Sequence, residues 1–397
     1  MANHAGRHFL QIPGPTPVPE RVHNAMARSM MDHRGPAFCE FGQKLFADVK
    51  GIFKTQQPVI IFPSSGTGSW EAALTNTLSP GDHVLVMETG QFAVLWTKMA
   101  ERMGLKPEVI ANDWRSGADA NALEARLRAD SSQQIKAVCV VQNETSTGAR
   151  THIDEIRKAM DAAGHSALLM VDTISSLAAM DYRHDEWGVD ITISGSQKGL
   201  MLPPGLSFTA VSQKALAASK KATLARAYFS WDDMLAINGS GTFPYTPPIG
   251  LLFGLAETIT MLNEEGLSNV FARHERLAEA TRRAVKAWGL EVWCQDARAY
   301  SPVVTAVEMP EGHNSDAFRK IVLENFNMSL GTGLSKLAGK AFRIAHLGYT
   351  NELTIMGALA GVEMGLELAR VPHNKGGVSA AMAYLAQAAS PATAQAA

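Results

Sequence analysis

A mainly parallel α/β sheet with a smaller α+β appendage is the fold class that the sequence predicts, on three observations. Short apolar, β-rich runs recur, helix-patterned stretches separate them, and the texture changes after about residue 250. The β-rich runs are His83-Val-Leu-Val-Met, Lys136-Ala-Val-Cys-Val-Val, Ala167-Leu-Leu-Met-Val-Asp and Asp190-Ile-Thr-Ile-Ser. Their near-continuous apolarity is what strands covered on both faces require. Helical patterns over Ser69–Leu78, Gln91–Met103, Asn121–Ala129 and Ile153–Ala163 alternate with them, as crossover connections between parallel strands do. Beyond 250, two long helical patterns, Ile249–Glu264 and Leu267–Trp288, precede short strands near Val303, Ser329 and Phe342, and a last helix follows Asn351. This divides the chain into a large domain with an amino-terminal arm (1–260), a small domain (261–385) and a flexible, Ala-rich tail (386–397).

Composition narrows the function classes. With 397 residues, 46% apolar and 19% charged, the chain can build a substantial core and is not a disordered segment. A net charge of -2 and the lack of a basic stripe give no attraction to nucleic acid or anionic membrane. Leu251–Leu262, the nearest approach to a membrane span, is interrupted by Glu257 and two threonines. The amino terminus lacks an apolar signal core and the three cysteines, Cys39, Cys139 and Cys294, have no CxxC spacing, so a reducing, cytoplasmic setting is expected, with no zinc site or disulfide framework.

Three constellations could carry chemistry. Lys198 follows the last β-rich run and a Ser-Gly-Ser turn, at the sheet edge where open α/β folds bind ligands. Desolvated there, a lysine loses its proton near neutral pH and adds to carbonyls; exposed, it merely solvates a loop. Phe62-Pro-Ser-Ser-Gly-Thr-Gly-Ser-Trp leads an apolar run into a helix through small residues. Either free amides there cradle a phosphate, or Ser65, Thr67 or Ser69 caps the helix itself. Asp172 closes a buried strand, where it either meets a pyridinium N–H or caps the Thr173-Ile-Ser-Ser turn.

Arg343 sits within the apolar run Ala341-Phe-Arg-Ile-Ala and needs an anion, either a substrate carboxylate or an internal Asp or Glu. Gly331-Thr-Gly-Leu-Ser-Lys-Leu-Ala-Gly-Lys-Ala imitates a P-loop but has one residue too many and ends in Ala341 where a Ser or Thr would bind magnesium. His33, His152, the His184-Asp185-Glu186 cluster and His346 lack metal-binding helical spacing, and Glu71 and Glu144 read as structural.

A phosphate cradle, a strand-end Asp and a strand-end Lys, in that order, are the parts that a pyridoxal-phosphate enzyme needs. From about Phe9 to Gly365 the chain closely resembles the class V, fold type I pyridoxal-phosphate aminotransferases, and among them the members that use serine and glyoxylate. The resemblance is carried by Pro13-Gly-Pro-Thr-Pro-Val-Pro, Asp32-His-Arg-Gly-Pro, Ser65-Gly-Thr-Gly-Ser-Trp-Glu, Asn143-Glu-Thr-Ser-Thr-Gly, Gly195-Ser-Gln-Lys-Gly-Leu, Phe243-Pro-Tyr-Thr-Pro and Gly339-Lys-Ala-Phe-Arg-Ile-Ala-His-Leu-Gly.

The resemblance implies pyridoxal 5'-phosphate as cofactor, Lys198 as its anchor and proton shuttle, and Asp172 as partner of its ring nitrogen. It implies that Gly66, Thr67 and Gln197 hold the phosphate, Phe92 stacks on the ring, Thr145 lies beside the ring oxygen and Arg343 takes the substrate carboxylate. It further implies a homodimer, or a dimer of dimers, whose subunits share sites through a Tyr-x-x-Thr segment. Here that segment reads Phe243-Pro-Tyr-Thr, so Thr246 carries over and Tyr245 stands in, shifted, for the tyrosine. The implied reaction is amino transfer from L-serine to glyoxylate, with alanine as the alternative donor. A cysteine desulfurase, a dehydrogenase and a non-catalytic ligand-binding relative are the competing readings.

Overall fold

The computed structural model describes residues 4–389. In chain order its strands are β1 (Phe9–Gln11), β2 (Val59–Phe62), β3 (His83–Glu88), β4 (Lys106–Ala111), β5 (Ile135–Val141), β6 (Asn143–Glu144), β7 (Ala149–Arg150), β8 (Leu168–Asp172), β9 (Ile191–Gly195), β10 (Ser207–Val211), β11 (Glu291–Val292), β12 (Val304–Glu308), β13 (Met328–Thr332) and β14 (Ala341–Ala345). The helices are α1 (Glu20–Met26), α2 (Pro36–Phe53), α3 (Gly66–Thr77), α4 (Gln91–Arg102), α5 (Ala120–Ala129), α6 (Ile153–Ala162), α7 (Gln213–Ser219), α8 (Trp231–Asn238), α9 (Ile249–Glu265), α10 (Leu267–Ala287), α11 (Ser315–Phe326), α12 (Glu352–Leu368) and α13 (Gly377–Ala389).

The large sheet has the order β2-β10-β9-β8-β5-β3-β4. Every neighbouring pair is parallel except those of β10, which runs antiparallel to both β2 and β9. All four β-rich runs of the sequence are strands of this sheet, and their apolarity follows from burial: every residue of β8 and β9 is buried. Because β5, β8 and β9 are parallel, their carboxyl ends fall together. Val141 pairs with Asp172, and Asp172 with Ile193.

The smaller sheet has the order β1-β13-β14-β12-β11. Its edge strand comes from the amino-terminal arm, which the sequence reading grouped with residues 1–260: Phe9–Gln11 pairs with Met328–Leu330. Residue 260 lies inside α9, and the hydrophobic core changes hands along α10, with Val270 in the large cluster and Leu277 in the small one. The helix after Asn351 is followed by another, α13. Its Gly377, Ala381 and Leu385 are buried at helical spacing, and a side chain at Gly377 would meet the Trp288 ring at 2.2 Å. Glu363 closes its start, accepting from Gly376 N (2.9 Å), Val378 N (2.8 Å) and Trp288 Nε1 (2.8 Å). Of the tail expected over 386–397, residues 386–389 therefore belong to this helix and the rest lie outside the described residues.

Candidate active site

Asp172 ends β8 and Lys198 follows β9 by three residues, which puts both at the carboxyl edge of the sheet. Lys198 is 9% exposed, so it is no surface lysine. Burial, and secondarily the Arg343 charge, lower its pKa to about 8, against a smaller opposing effect of Asp172. Its Nζ donates to the Pro13 carbonyl of the arm. Gly14 must lack a side chain there: its φ is +101° and a Cβ would lie 2.4 Å from Lys198 Cδ.

Asp172 caps its turn and accepts a second donor as well. Oδ1 accepts from Ile174 N (2.6 Å), the turn cap, while Oδ2 accepts from the indole of Trp70 (2.8 Å). Burial pushes its pKa up to about 7 despite both donors. The carboxylate thus keeps lone pairs for a further donor.

Around these two groups lies a cavity. Its wall contains Lys198, Asp172, Gly66, Thr67, Phe92, Thr145 and Gln197, all expected as site residues, together with Ser65, Trp70, Val141, Asn143, Ile174 and Ser175. The start of α3 opens onto it. No side chain caps this helix, and the Ser64 and Ser69 hydroxyls are spent on Ser207. Gly66 N and Thr67 N have no acceptor among the described residues. A Cβ at Gly66 would strike Ile174 Cδ1 at 2.4 Å, so glycine is required for the helix to approach this closely.

Two buried side-chain atoms in the wall, Gln197 Oε1 and Asn143 Oδ1, also lack partners. Thr145 Oγ1 donates to Ser175 Oγ (2.9 Å), which receives Asn143 Nδ2 (2.8 Å) as well. Glu144, fully buried, accepts from Ser146 Oγ (2.6 Å) and Phe92 N (3.1 Å), capping α4 as a structural residue.

Arg343 lies outside the cavity wall but is tied to it. Its Nη1 donates to Thr145 O (2.8 Å) and its Nε to Thr332 O (2.8 Å). It is 6% exposed, and among the described residues no ion pair includes it, so the internal-carboxylate reading fails. Gly331 leaves room for it, since a Cβ there would be 2.9 Å from Arg343 Cβ; the P-loop imitation is thus a strand and a 3-10 turn.

Tyr245 and Thr246 are not in the wall. Tyr245 stacks on Tyr228 (4.5 Å), and Thr246 is exposed. His184, His346 and His152 are hydrogen-bonded to Thr192, Thr305 and the Arg298 carbonyl, and no group of three metal-binding side chains occurs among the described residues. A wider groove between α5, α6 and residues 296–299 has its charges paired, Arg150 with Glu275 and Arg298 with Glu155.

The family model described as Aminotransferase class-V matches residues 9–345. The chain belongs to the class V aminotransferases. It is 49% identical over 387 residues to serine–glyoxylate aminotransferase of Methylorubrum extorquens, with 96% of each chain covered. It is 43% identical to L-aspartate–glyoxylate aminotransferase of Paracoccus denitrificans, over 95% of this chain and 96% of that one. Pyridoxamine-pyruvate aminotransferase from Mesorhizobium loti has the same fold, with a TM-score of 0.91, 28% identity, and 98% and 100% of the chains covered.

Pyridoxal 5'-phosphate is the cofactor of this class V aminotransferase, and the cavity fits it. Two open backbone amides suit a phosphate, while a buried carboxylate with spare lone pairs suits a ring N–H. Trp70, Asn143 and Ser175 were not recognised as site residues from sequence, although Trp70 and Asn143 stand inside quoted motifs. An indole or amide gives no signal until its partner, 102 residues away for Trp70, is known.

Proposed function

We propose that this aminotransferase moves the amino group of L-serine to glyoxylate, releasing hydroxypyruvate and glycine in two successive half-reactions at one cavity. The observation that carries the reading is the buried Lys198 amine beside Asp172, with Arg343 free of any internal ion pair. The 49% identity to a serine–glyoxylate enzyme supports the choice of donor and acceptor.

When bound, pyridoxal phosphate supplies an electron sink for a carbanion at the substrate α-carbon. Gly66 N, Thr67 N and the Gln197 amide would hold its phosphate, with Phe92 against the ring and the Thr145 hydroxyl toward the ring oxygen. Asp172 would keep a proton on the ring nitrogen. Lys198 would anchor the cofactor and, with its amine free, carry a proton at the substrate α-carbon; a pKa of about 8 suits an amine that must both accept and return it. The Arg343 guanidinium binds the substrate carboxylate, which orients the α-hydrogen. The enzyme acts in the cytoplasm, consistent with three free cysteines, as a homodimer or dimer of dimers. Thr246, exposed on one subunit, and Tyr245 serve the phosphate of the partner's site.

A steady-state screen of serine, alanine and aspartate, each with glyoxylate, tests the reading. Serine is expected to give the highest kcat/KM. Preference for alanine or aspartate, or indifference to glyoxylate, would contradict it.

A further inference from the structure

We propose that Trp70 is a positioning residue of the reaction, its indole N–H fixing the Asp172 carboxylate so that a lone pair stays aimed into the cavity. This rests on the cofactor reading above. Trp70 is 2% exposed, and its Nε1 donates to Oδ2 at 2.8 Å while the Ile174 amide donates to Oδ1 at 2.6 Å. Each oxygen is therefore held by one protein donor, from two different elements, and the carboxylate cannot turn without breaking one of them.

The indole itself is immobile. It stacks on Trp96 of α4, with centroids 5.6 Å apart and planes 10° from parallel, and Trp96 is 1% exposed. A neutral donor is the right kind for this task. An arginine or lysine at this position would form an ion pair and spend the negative charge that the ring nitrogen requires, whereas an indole orients the carboxylate and leaves its charge.

Trp70 also belongs to the helix whose first residues, Gly66 and Thr67, present open amides to the cavity. Trp70 lies four helical steps beyond Gly66, about 6 Å of axial rise. One rigid element thus sets the phosphate end of the site and, through Asp172, the ring-nitrogen end. The other charges facing Asp172 are Glu144, which opposes its ionisation, and Lys198, which favours it.

Two replacements separate this role from packing: Trp70→Phe, and Trp70 exchanged for 3-benzothienylalanine, which keeps the bicyclic shape and puts sulfur in place of N–H. Cofactor affinity by equilibrium dialysis and the pH profile of kcat are read for both. A lost donor makes Asp172 easier to protonate, so the acid limb should move up by about one pH unit and kcat fall about tenfold, with donor KM within about twofold. Both replacements should behave alike. An unmoved acid limb in the benzothienyl protein overturns the proposal, and that protein alone decides if the phenylalanine variant does not fold. If wild-type protein binds no pyridoxal phosphate in the same dialysis, the cofactor reading itself fails; wild-type binding with a wild-type profile in the variants removes only the role of Trp70.

Discussion

Two helices begin at the same edge of the large sheet, and they end differently. The start of α4 is closed by the chain itself: Glu144 accepts from Phe92 N at 3.1 Å and Ala93 N at 3.4 Å, and Ser146 Oγ accepts from Gln91 N at 3.0 Å. The start of α3 is left open, with no capping side chain and with Gly66 N and Thr67 N unspent. Both ends need a glycine for close approach, Gly66 against Ile174 and Gly90 against Glu144. The difference lies in what is delivered to the dipole: an internal carboxylate at α4, and space at α3. An uncapped helix end beside a cavity is held in reserve for an external anion, because the chain could have closed it as it closed its neighbour.

The largest effect should come from closing the open end. Gly66→Asp would bring a side chain against Ile174 and a carboxylate to the amides, and pyridoxal phosphate affinity, read by equilibrium dialysis, should fall at least about 100-fold, the loss of two charge-assisted hydrogen bonds. Opening the closed end should be milder for binding but not for the fold. Glu144→Ala orphans the Phe92 and Ala93 amides and should lower stability by about 2–3 kcal/mol in denaturant unfolding.

A third effect concerns Asp172 and is read by pH. Burial raises the Asp172 pKa from an ordinary 3.8 to about 7, so the folded cofactor-free protein binds its proton more tightly than the unfolded chain. That contribution to stability is full below pH 3.8 and is lost as pH rises toward 7. Cofactor-free Asp172→Asn should therefore show a flatter decline across this window in unfolding measured as a function of pH. The smallest effect belongs to a helix start remote from Asp172 and Lys198: Asp119 caps α5 through Asn121 N and Ala122 N. Asp119→Ala should cost about 1 kcal/mol of stability and leave cofactor affinity unchanged.

Much of this arrangement could be read before the structure. Buried parallel strands announce themselves as apolar runs, and Asp172 and Lys198 are conspicuous as polar groups at their ends. What escaped has physical reasons. β1 is three residues long and finds its partner strand more than 300 residues away. α13 is so rich in alanine that it has no polar face to set the buried one apart, so no helix was read there and its last residues, 386–389, were assigned to the tail. Arg343 was identifiable as a buried cation, yet only the structure distinguishes backbone carbonyls from a carboxylate as its internal partners. Capping by Ser65, Thr67 or Ser69 was as reasonable in sequence as a phosphate cradle, and the structure decides against it: no side chain caps α3, and Ser69 Oγ is spent on Ser207.

The central claim is that the open end of α3, Asp172 and Lys198 form one cofactor site with Lys198 as its anchor. Borohydride reduction of the cofactor-loaded enzyme, followed by peptide mass mapping, tests it most directly. The pyridoxyl group should be found on Lys198 and be absent from Lys198→Ala protein; its presence on another lysine, or on none, would contradict the account.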